Sequence, residues 1–141
     1  MEIRLRRDTD PEVDFYYRHQ FEIYHEPYLI WDRETWKIAL ERCAVYRIEV
    51  DGDCAGDVLL EGEGRGARSI VDLGLLPEYR GRGIGKAVFK QIKGMNITLT
   101  AVTRKETLDF FLKSGFVLKG RIRNYYAPGV DGYSISFSTE G

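Results

Sequence analysis

Ile3 and Leu5 alternate with charged neighbours in "EIRLRR", the period-two pattern of a strand with one buried face. Asp10 and Pro11 then offer a capping residue and a proline suited to a first helical turn, which predicts a helix to about Tyr24, ended by Pro27. Asp32 is a second capping residue, ahead of a helical stripe of Trp36, Ala39, Leu40 and Cys43. "AVYRIEV" and "CAGDVLL" flank the turn "DGD" and predict a hairpin. A flexible loop, "EGEGRGAR", leads into the strand "SIVDLGLL". The next apolar period is helical, with Ile84, Val88, Ile92 and Met95 on one side, Lys86, Lys90 and Lys93 off it, and Gly94 at its end. "ITLTAV" reads as a strand. Thr103 and Glu106 have the spacing of a capping box for a helix that turns Leu108, Phe111 and Leu112 inward and stops at Gly115. Two strands, "FVLKGRI" and "YSISF", flank the loop "RNYYAPGVDG".

The resulting order is β-α-α-β-β-β-α-β-α-β-β. Its first part is joined by hairpins and is antiparallel. The later strand–helix–strand unit demands a parallel, right-handed crossover. The fold class is therefore α+β: a single mixed, mostly antiparallel sheet with helices on both faces, in one domain over residues 1–141.

Composition narrows the function more than the fold. A net charge of −1 gives no general pull toward nucleic acid or an anionic membrane. No apolar run approaches the roughly 20 residues of a membrane span, and "MEIRLRRDTD" lacks the apolar core of a signal peptide. The expectation is a cytoplasmic protein, monomer or homodimer. Cys43 and Cys54 are expected to be reduced, and no histidine or cysteine spacing suggests a metal. Arg4, Arg6, Lys119, Arg121 and Arg123 are read as solvated strand edges that discourage aggregation.

"LLPEYRGRGIGKAV", residues 75–88, carries the chemistry. The first turn of a helix leaves N–H groups without partners, and the macrodipole adds positive charge there. Gly81, Gly83 and Gly85 allow the backbone to approach an anion, while Arg80, Arg82 and Lys86 add cationic side chains. This describes a phosphate or pyrophosphate site. A Walker A loop fails, because Arg80 stands where its first glycine belongs and Ala87 where its Ser or Thr belongs. A Rossmann fingerprint fails at Lys86.

Arg80-Gly81-Arg82-Gly83-Ile84-Gly85 matches the Arg/Gln-x-x-Gly-x-Gly/Ala signature of the Gcn5-related N-acetyltransferases, and "ETLDFFLKSGF" resembles that family's last helix and following strand. The order of elements agrees as well, so the resemblance covers nearly the whole chain. It implies acetyl-CoA as co-substrate, its pyrophosphate held by Arg80, Gly81, Arg82, Gly83, Ile84, Gly85 and Lys86. It also implies strand amides at Leu73 and Leu75 for the pantetheine arm, with Arg104 and Phe111 beside the cofactor. Gly74 between the two leucines suits a bulge and a close ligand approach.

"RIRNYYAPGVDGYSISF" resembles the closing segment of protein N-terminal acetyltransferases, including those of ribosomal-protein alanines. The resemblance implies that Tyr125 and Tyr126 touch a substrate peptide from the loop between the last strands. It sets Pro27 and Tyr28 of "EPYLIW" across the groove from them.

The chain also departs from its relatives. Phe111 stands where a tyrosine acid is common, and Ser69 and Ala101 where relatives place a basic group. Arg104 replaces an asparagine. Neutralising an α-amine with a reference pKa near 7.8 costs only about 0.7 kcal/mol at pH 7.5, against about 4 kcal/mol for a lysine ε-amine. A chain without an evident strong base therefore suits an α-amine. Catalytic candidates are Tyr126, Tyr125 and Asp72, with Glu61 a further carboxylate; His19 reads as a surface or packing residue and His25 lies near the presumed groove.

The expected function is acetyl transfer from acetyl-CoA to a primary amine, best an α-amine of a protein or peptide N-terminus. The alternatives are a small-molecule amine acetyltransferase and a catalytically weak acyl-CoA-binding module.

Overall fold

The computed structural model describes residues 1–62, 66–94 and 98–138. In chain order the strands and helices are β1 (Ile3–Arg7), α1 (Val13–Ile23), α2 (Arg33–Arg42), β2 (Cys43–Val50), β3 (Asp53–Glu61) and β4 (Ala67–Leu75). They are followed by α3 (Ile84–Lys93), β5 (Thr98–Thr103), α4 (Lys105–Lys113), β6 (Val117–Ala127) and β7 (Val130–Ser138). Two short 3-10 turns, Pro27–Leu29 and Pro77–Tyr79, precede α2 and α3. The strands form one seven-stranded sheet in the order β1-β2-β3-β4-β5-β7-β6, antiparallel throughout except for the β4–β5 pair.

The sheet separates two cores. One packs Ile84, Val88, Phe89 and Ile92 of α3 and Phe111 of α4 against Ile48, Val58, Leu60, Leu99 and Ile135. The other packs Tyr16 of α1 and Trp36 and Leu40 of α2 against Val45 and Leu59. Consecutive residues Val58 and Leu59 thus point into different cores, as strand periodicity requires. Both faces are covered by helices, as the patterning implied.

Local differences have physical reasons. Asp10 does not cap α1; it turns its N–H onto the Asp8 carboxylate, and Glu12 takes the N-cap position without a side-chain bond. Asp32 does cap α2, accepting from Thr35 N–H at 2.8 Å. Cys43 is already the first residue of β2 rather than part of the helical stripe. No capping box forms at α4: Arg104 is its N-cap, and the Thr103 hydroxyl bonds that of Thr107 instead. Leu112 faces solvent at 38% exposure, so Phe111 alone of the expected trio is fully inward. Gly115 does stop the helix, with φ +104° and Phe116 N–H closing onto Phe111 O. Gly94 follows α3 in right-handed conformation. Met95, and residues 63–65 of the expected loop, lie outside the described residues.

The largest departure is at the end of the chain. Tyr125 and Tyr126 belong to β6 rather than a loop. Pairing with β7 is interrupted between Ile122 and Ala127, and Asn124 takes φ +53°. Asn124 accepts from Gly129 N–H and receives no ladder partner of its own, its N–H instead donating to Asp131. This irregularity swings the two tyrosines toward β5.

Candidate active site

β4 and β5 are paired only at Ala67–Ser69 against Thr98–Thr100. Beyond Ser69 the strands diverge, and β4 carries an extra residue, Val71, in its pairing with β3. A bulge bends a strand at such a point. The divergence opens a cavity of about 650 Å³, walled by Ile70–Leu73 of β4 and Thr100–Thr103 of β5. Tyr24 and Trp31 close one side, Arg104, Thr107 and Phe111 another, and Tyr28, Tyr125 and Tyr126 the rim.

The rim is aromatic. Tyr28 and Tyr126 approach with ring centroids 6.2 Å apart, and Tyr125 packs edge-on to Tyr126 at 4.9 Å. The Tyr126 hydroxyl donates to Val102 O at 2.9 Å, which anchors the irregular part of β6 to the splayed part of β5. Burial, then Tyr125, raises the Tyr126 phenol to about 12, so it is neutral and a donor at physiological pH. Pro27 is exposed and does not line the cavity; His25 is exposed nearby. Arg104 reaches across the opening to Glu26 at 3.4 Å and ties the start of α4 to the turn that carries Tyr28.

The glycine-rich turn sits at the C-terminal end of β4. Gly81 and Gly83 have φ of +71° and +76°, and a methyl on either would meet no heavy atom within 4 Å. Their backbones are open to an approaching anion at the start of α3, a ten-residue helix. Gly85 serves a different end: a Cβ there would lie 2.4 Å from the Phe110 ring. It is one of the contacts that seat α4 against α3, beside those of Phe89 with Phe110 and Phe111. Ile84 is buried in the core, which leaves its backbone for a ligand, whereas Arg82 and Lys86 are exposed. Arg80 is committed to the scaffold, donating to Leu75 O at 3.1 Å and to Ile23 O.

Leu76 N–H reaches Ala55 O in β3, so strand alternation turns the backbone groups of Leu73 and Leu75 to the opposite, diverging edge. Their carbonyls accept from Tyr24 and Arg80 respectively. Gly74 does not sit at the bulge, which is at Val71. It admits α1: a Cβ at Gly74 would lie 2.9 Å from both the Tyr24 hydroxyl and Ile23 Cγ2.

That hydroxyl donates to Asp72 Oδ1 at 2.9 Å. Asp72 lines the cavity, whereas Asp57, 3% exposed, lies behind it on β3. Burial raises the Asp72 carboxyl above the ordinary range, and burial together with the Asp72 charge raises Asp57 well above it. Ser69 and Ala101 both line the cavity, and Ser69 spends its hydroxyl on Thr100 at 3.1 Å. Glu61 is exposed at the far end of β3, outside the lining. His19 is buried against Phe15, its pKa lowered by burial.

Sequence reasoning missed Tyr24, Trp31, Thr107 and Asp57. For Asp57 a signal existed: it is the one charged residue within the otherwise apolar run "CAGDVLL". Cys43 and Cys54 are free thiols at opposite ends of the β2–β3 hairpin. Among the described residues no cluster of metal-ligating side chains is found, and no helix is long and apolar enough to cross a membrane.

Comparison with known proteins places this geometry. The acetyltransferase (GNAT) domain family model matches residues 41–118, from the end of α2 through the start of β6. The ribosomal-protein-S18-alanine N-acetyltransferase of Escherichia coli superposes with a TM-score of 0.81 at 16% identity, over 99% of this chain and 96% of that one. A GNAT family acetyltransferase from Elizabethkingia anophelis with acetyl-CoA bound gives 0.70 at 14% identity, over 96% and 97% of the two chains. A spermidine N-acetyltransferase chimera that includes the Vibrio cholerae enzyme gives 0.70 at 11% identity, over 99% and 97%. Comparison with curated protein sequences gives no match.

Proposed function

The chain belongs to the GNAT acetyltransferase family, and from that premise we propose that its acceptor is the α-amine of a protein or peptide N-terminus. It is an acetyl-CoA-dependent N-acetyltransferase. The observation that carries the acceptor reading is the aromatic rim, where Tyr28, Tyr125 and Tyr126 flank the mouth of a cavity that narrows to the β4–β5 split. A short extended peptide lies against such rings, and its terminal amine is the part slim enough to reach the split. The likeness in fold to the alanine N-acetyltransferase supports the same reading.

Acetyl-CoA would lie with its pyrophosphate on the amides opened by Gly81 and Gly83, with Arg82 and Lys86 at hand for its charge. The Leu73 and Leu75 edge of β4 would receive the pantetheine arm. The Arg80 side chain holds this turn in place, and Phe111 and Arg104 line the route from α4. In the reaction the acceptor ammonium loses a proton and its neutral nitrogen attacks the thioester carbonyl. The C–S bond breaks, and the departing thiolate takes one of the two protons left on that nitrogen, giving an N–H amide and the CoA thiol. An amide on the Leu73 edge would steady the oxyanion. Phe111 has no proton to give, so Tyr125 and Tyr126 are the rim donors, and Asp72 is the carboxylate within the cavity.

The test is acetyl transfer from acetyl-CoA to a panel of short peptides, N-terminally blocked lysine peptides, polyamines and amino acids. Turnover confined to free peptide N-termini is expected. Turnover confined to small amines overturns the acceptor assignment and leaves the enzyme class standing.

A further inference from the structure

Asp57 pairs in register with Gly74, and Leu59 with Asp72, which makes the two aspartates diagonal neighbours on one face of the β3–β4 ladder. Among the described residues neither forms an ion pair with a cation, and Asp57 Oδ1 and Asp72 Oδ2 are buried oxygens with no hydrogen-bond partner. Two neighbouring carboxyls left without other donors can hydrogen-bond each other only where one of them carries a proton. Like charges so close, and so deeply buried, do not both ionise.

The pair is connected to the cavity. Asp72 Oδ1 receives the Tyr24 hydroxyl, and Tyr24 and Asp72 both line the cavity beside the diverging strands. The glycine at position 74 is what leaves room for that hydroxyl. The other titratable groups facing the pair are His19 from α1, Cys43 from β2 and Cys54 from β3, with Arg104 at the start of α4 acting on Tyr24. No side chain in this set forms an ion pair with either carboxyl.

We propose that Tyr24, Asp72 and Asp57 form the proton acceptor of the acetyl-transfer reaction, with Asp57 a positioning residue that keeps one shared proton on the pair. The proposal rests on the acetyltransfer reading above. In the resting site the two carboxyls hold one proton and one negative charge. The acceptor ammonium gives a proton to the Tyr24 oxygen as the Tyr24 proton moves to Asp72 Oδ1. The amine nitrogen then holds the electron pair that attacks the thioester, and the carboxyl pair stands doubly protonated until it returns one proton to solvent. The proton released equals the one lost by the ammonium, so the step balances without a further reactant. Burial opposes the negative charge left on the pair, which makes it a stronger base than an exposed carboxylate and brings it nearer to an α-ammonium.

Three measurements test it on the whole protein. Carboxyl 13C NMR of the wild type is expected to show one of the two aspartates protonated at neutral pH; both fully ionised there would overturn the proposal. Asp57→Asn keeps the shape and the donor to Asp72 but cannot ionise, so one of the two raised carboxyl titrations seen by 13C NMR in the wild type is expected to disappear, while that of Asp72, still buried, remains. Tyr24→Phe is expected to lower kcat at least tenfold while calorimetric acetyl-CoA affinity stays within twofold. A wild type and an Asp57→Asn enzyme with the same carboxyl titrations, or a Tyr24→Phe enzyme at full kcat, sinks the relay while leaving the enzyme class intact. A wild type that turns over no amine on the panel sinks the acetyltransfer reading itself, whatever the NMR titration gives.

Discussion

Tyr28 and Tyr126 face each other at 6.2 Å between ring centroids, one from a 3-10 turn ahead of α2 and the other from the irregular stretch of β6. Segments separated by most of the chain meet here because the Tyr126 hydroxyl is pinned to Val102 O, on the strand that splays from β4. Tyr126→Phe removes a neutral hydrogen bond of about 1 kcal/mol and frees the ring to drift. The expected result is an acceptor KM several-fold higher with acetyl-CoA affinity unchanged. Steady-state kinetics for both substrates check it; equal losses for both would count against a rim that binds the acceptor.

Gly83 is where an anion is expected to touch the backbone, and its surroundings make the test clean. It has φ +76°, and a Cβ there meets nothing within 4 Å, so Gly83→Asp adds a charge without a clash. The strained backbone should cost about 1 kcal/mol in stability. Repulsion of the pyrophosphate should weaken acetyl-CoA by at least tenfold, about 1.4 kcal/mol or more. Calorimetric titration decides the matter, and retained affinity removes the pyrophosphate from this turn.

Gly85 and Phe110 make the opposite kind of case, since the required space is filled by protein. A methyl 2.4 Å from the Phe110 ring forces α4 away from α3. Gly85→Ala should cost about 1–3 kcal/mol by overpacking. Phe110→Ala in the same chain should recover part of the loss, because the ring that collides is gone. Denaturant unfolding of the two single variants and the double variant gives the coupling directly. Additive losses would mean that Gly85 serves the ligand side of the turn and not this packing contact.

The pattern of apolar positions was enough for the order of elements and the two-faced sheet, because both rest on periodicity and on glycine and proline punctuation. The glycine-rich turn was readable for the same local reason. What escaped was decided between segments distant in sequence. Asp10 looked like a cap until Asp8 competed for its N–H. The tyrosines looked like loop residues because the β6 irregularity depends on side-chain bonds from Asn124 and Asp131. Gly74 was read as a bulge and a site of close ligand approach, whereas the bulge is at Val71 and what approaches Gly74 is the protein's own Ile23 and Tyr24 side chains. Asp72 was noticed for its chemistry; Asp57 stood out as the one charge in an apolar run, but that the two are neighbours follows only from strand register.

That partnership also gives stability a definite dependence on pH. In the folded chain burial raises both carboxyls, and the Asp72 charge raises Asp57 further, while unfolded aspartates release their protons near pH 4. Above that point the folded protein holds a proton that the unfolded chain has lost. The contribution of the pair is therefore full below about pH 4 and falls as pH rises toward the raised folded value, by at most about 1.4 kcal/mol per pH unit. Asp57→Asn removes the shared proton, so the variant should gain on the wild type steadily as pH rises across this window. Unfolding free energies of the two proteins, measured in urea at intervals from pH 4 upward, give the difference with all other titrating groups held in common. A difference that stays flat, or that slopes the other way, would mean that Asp57 and Asp72 share no proton in the folded state.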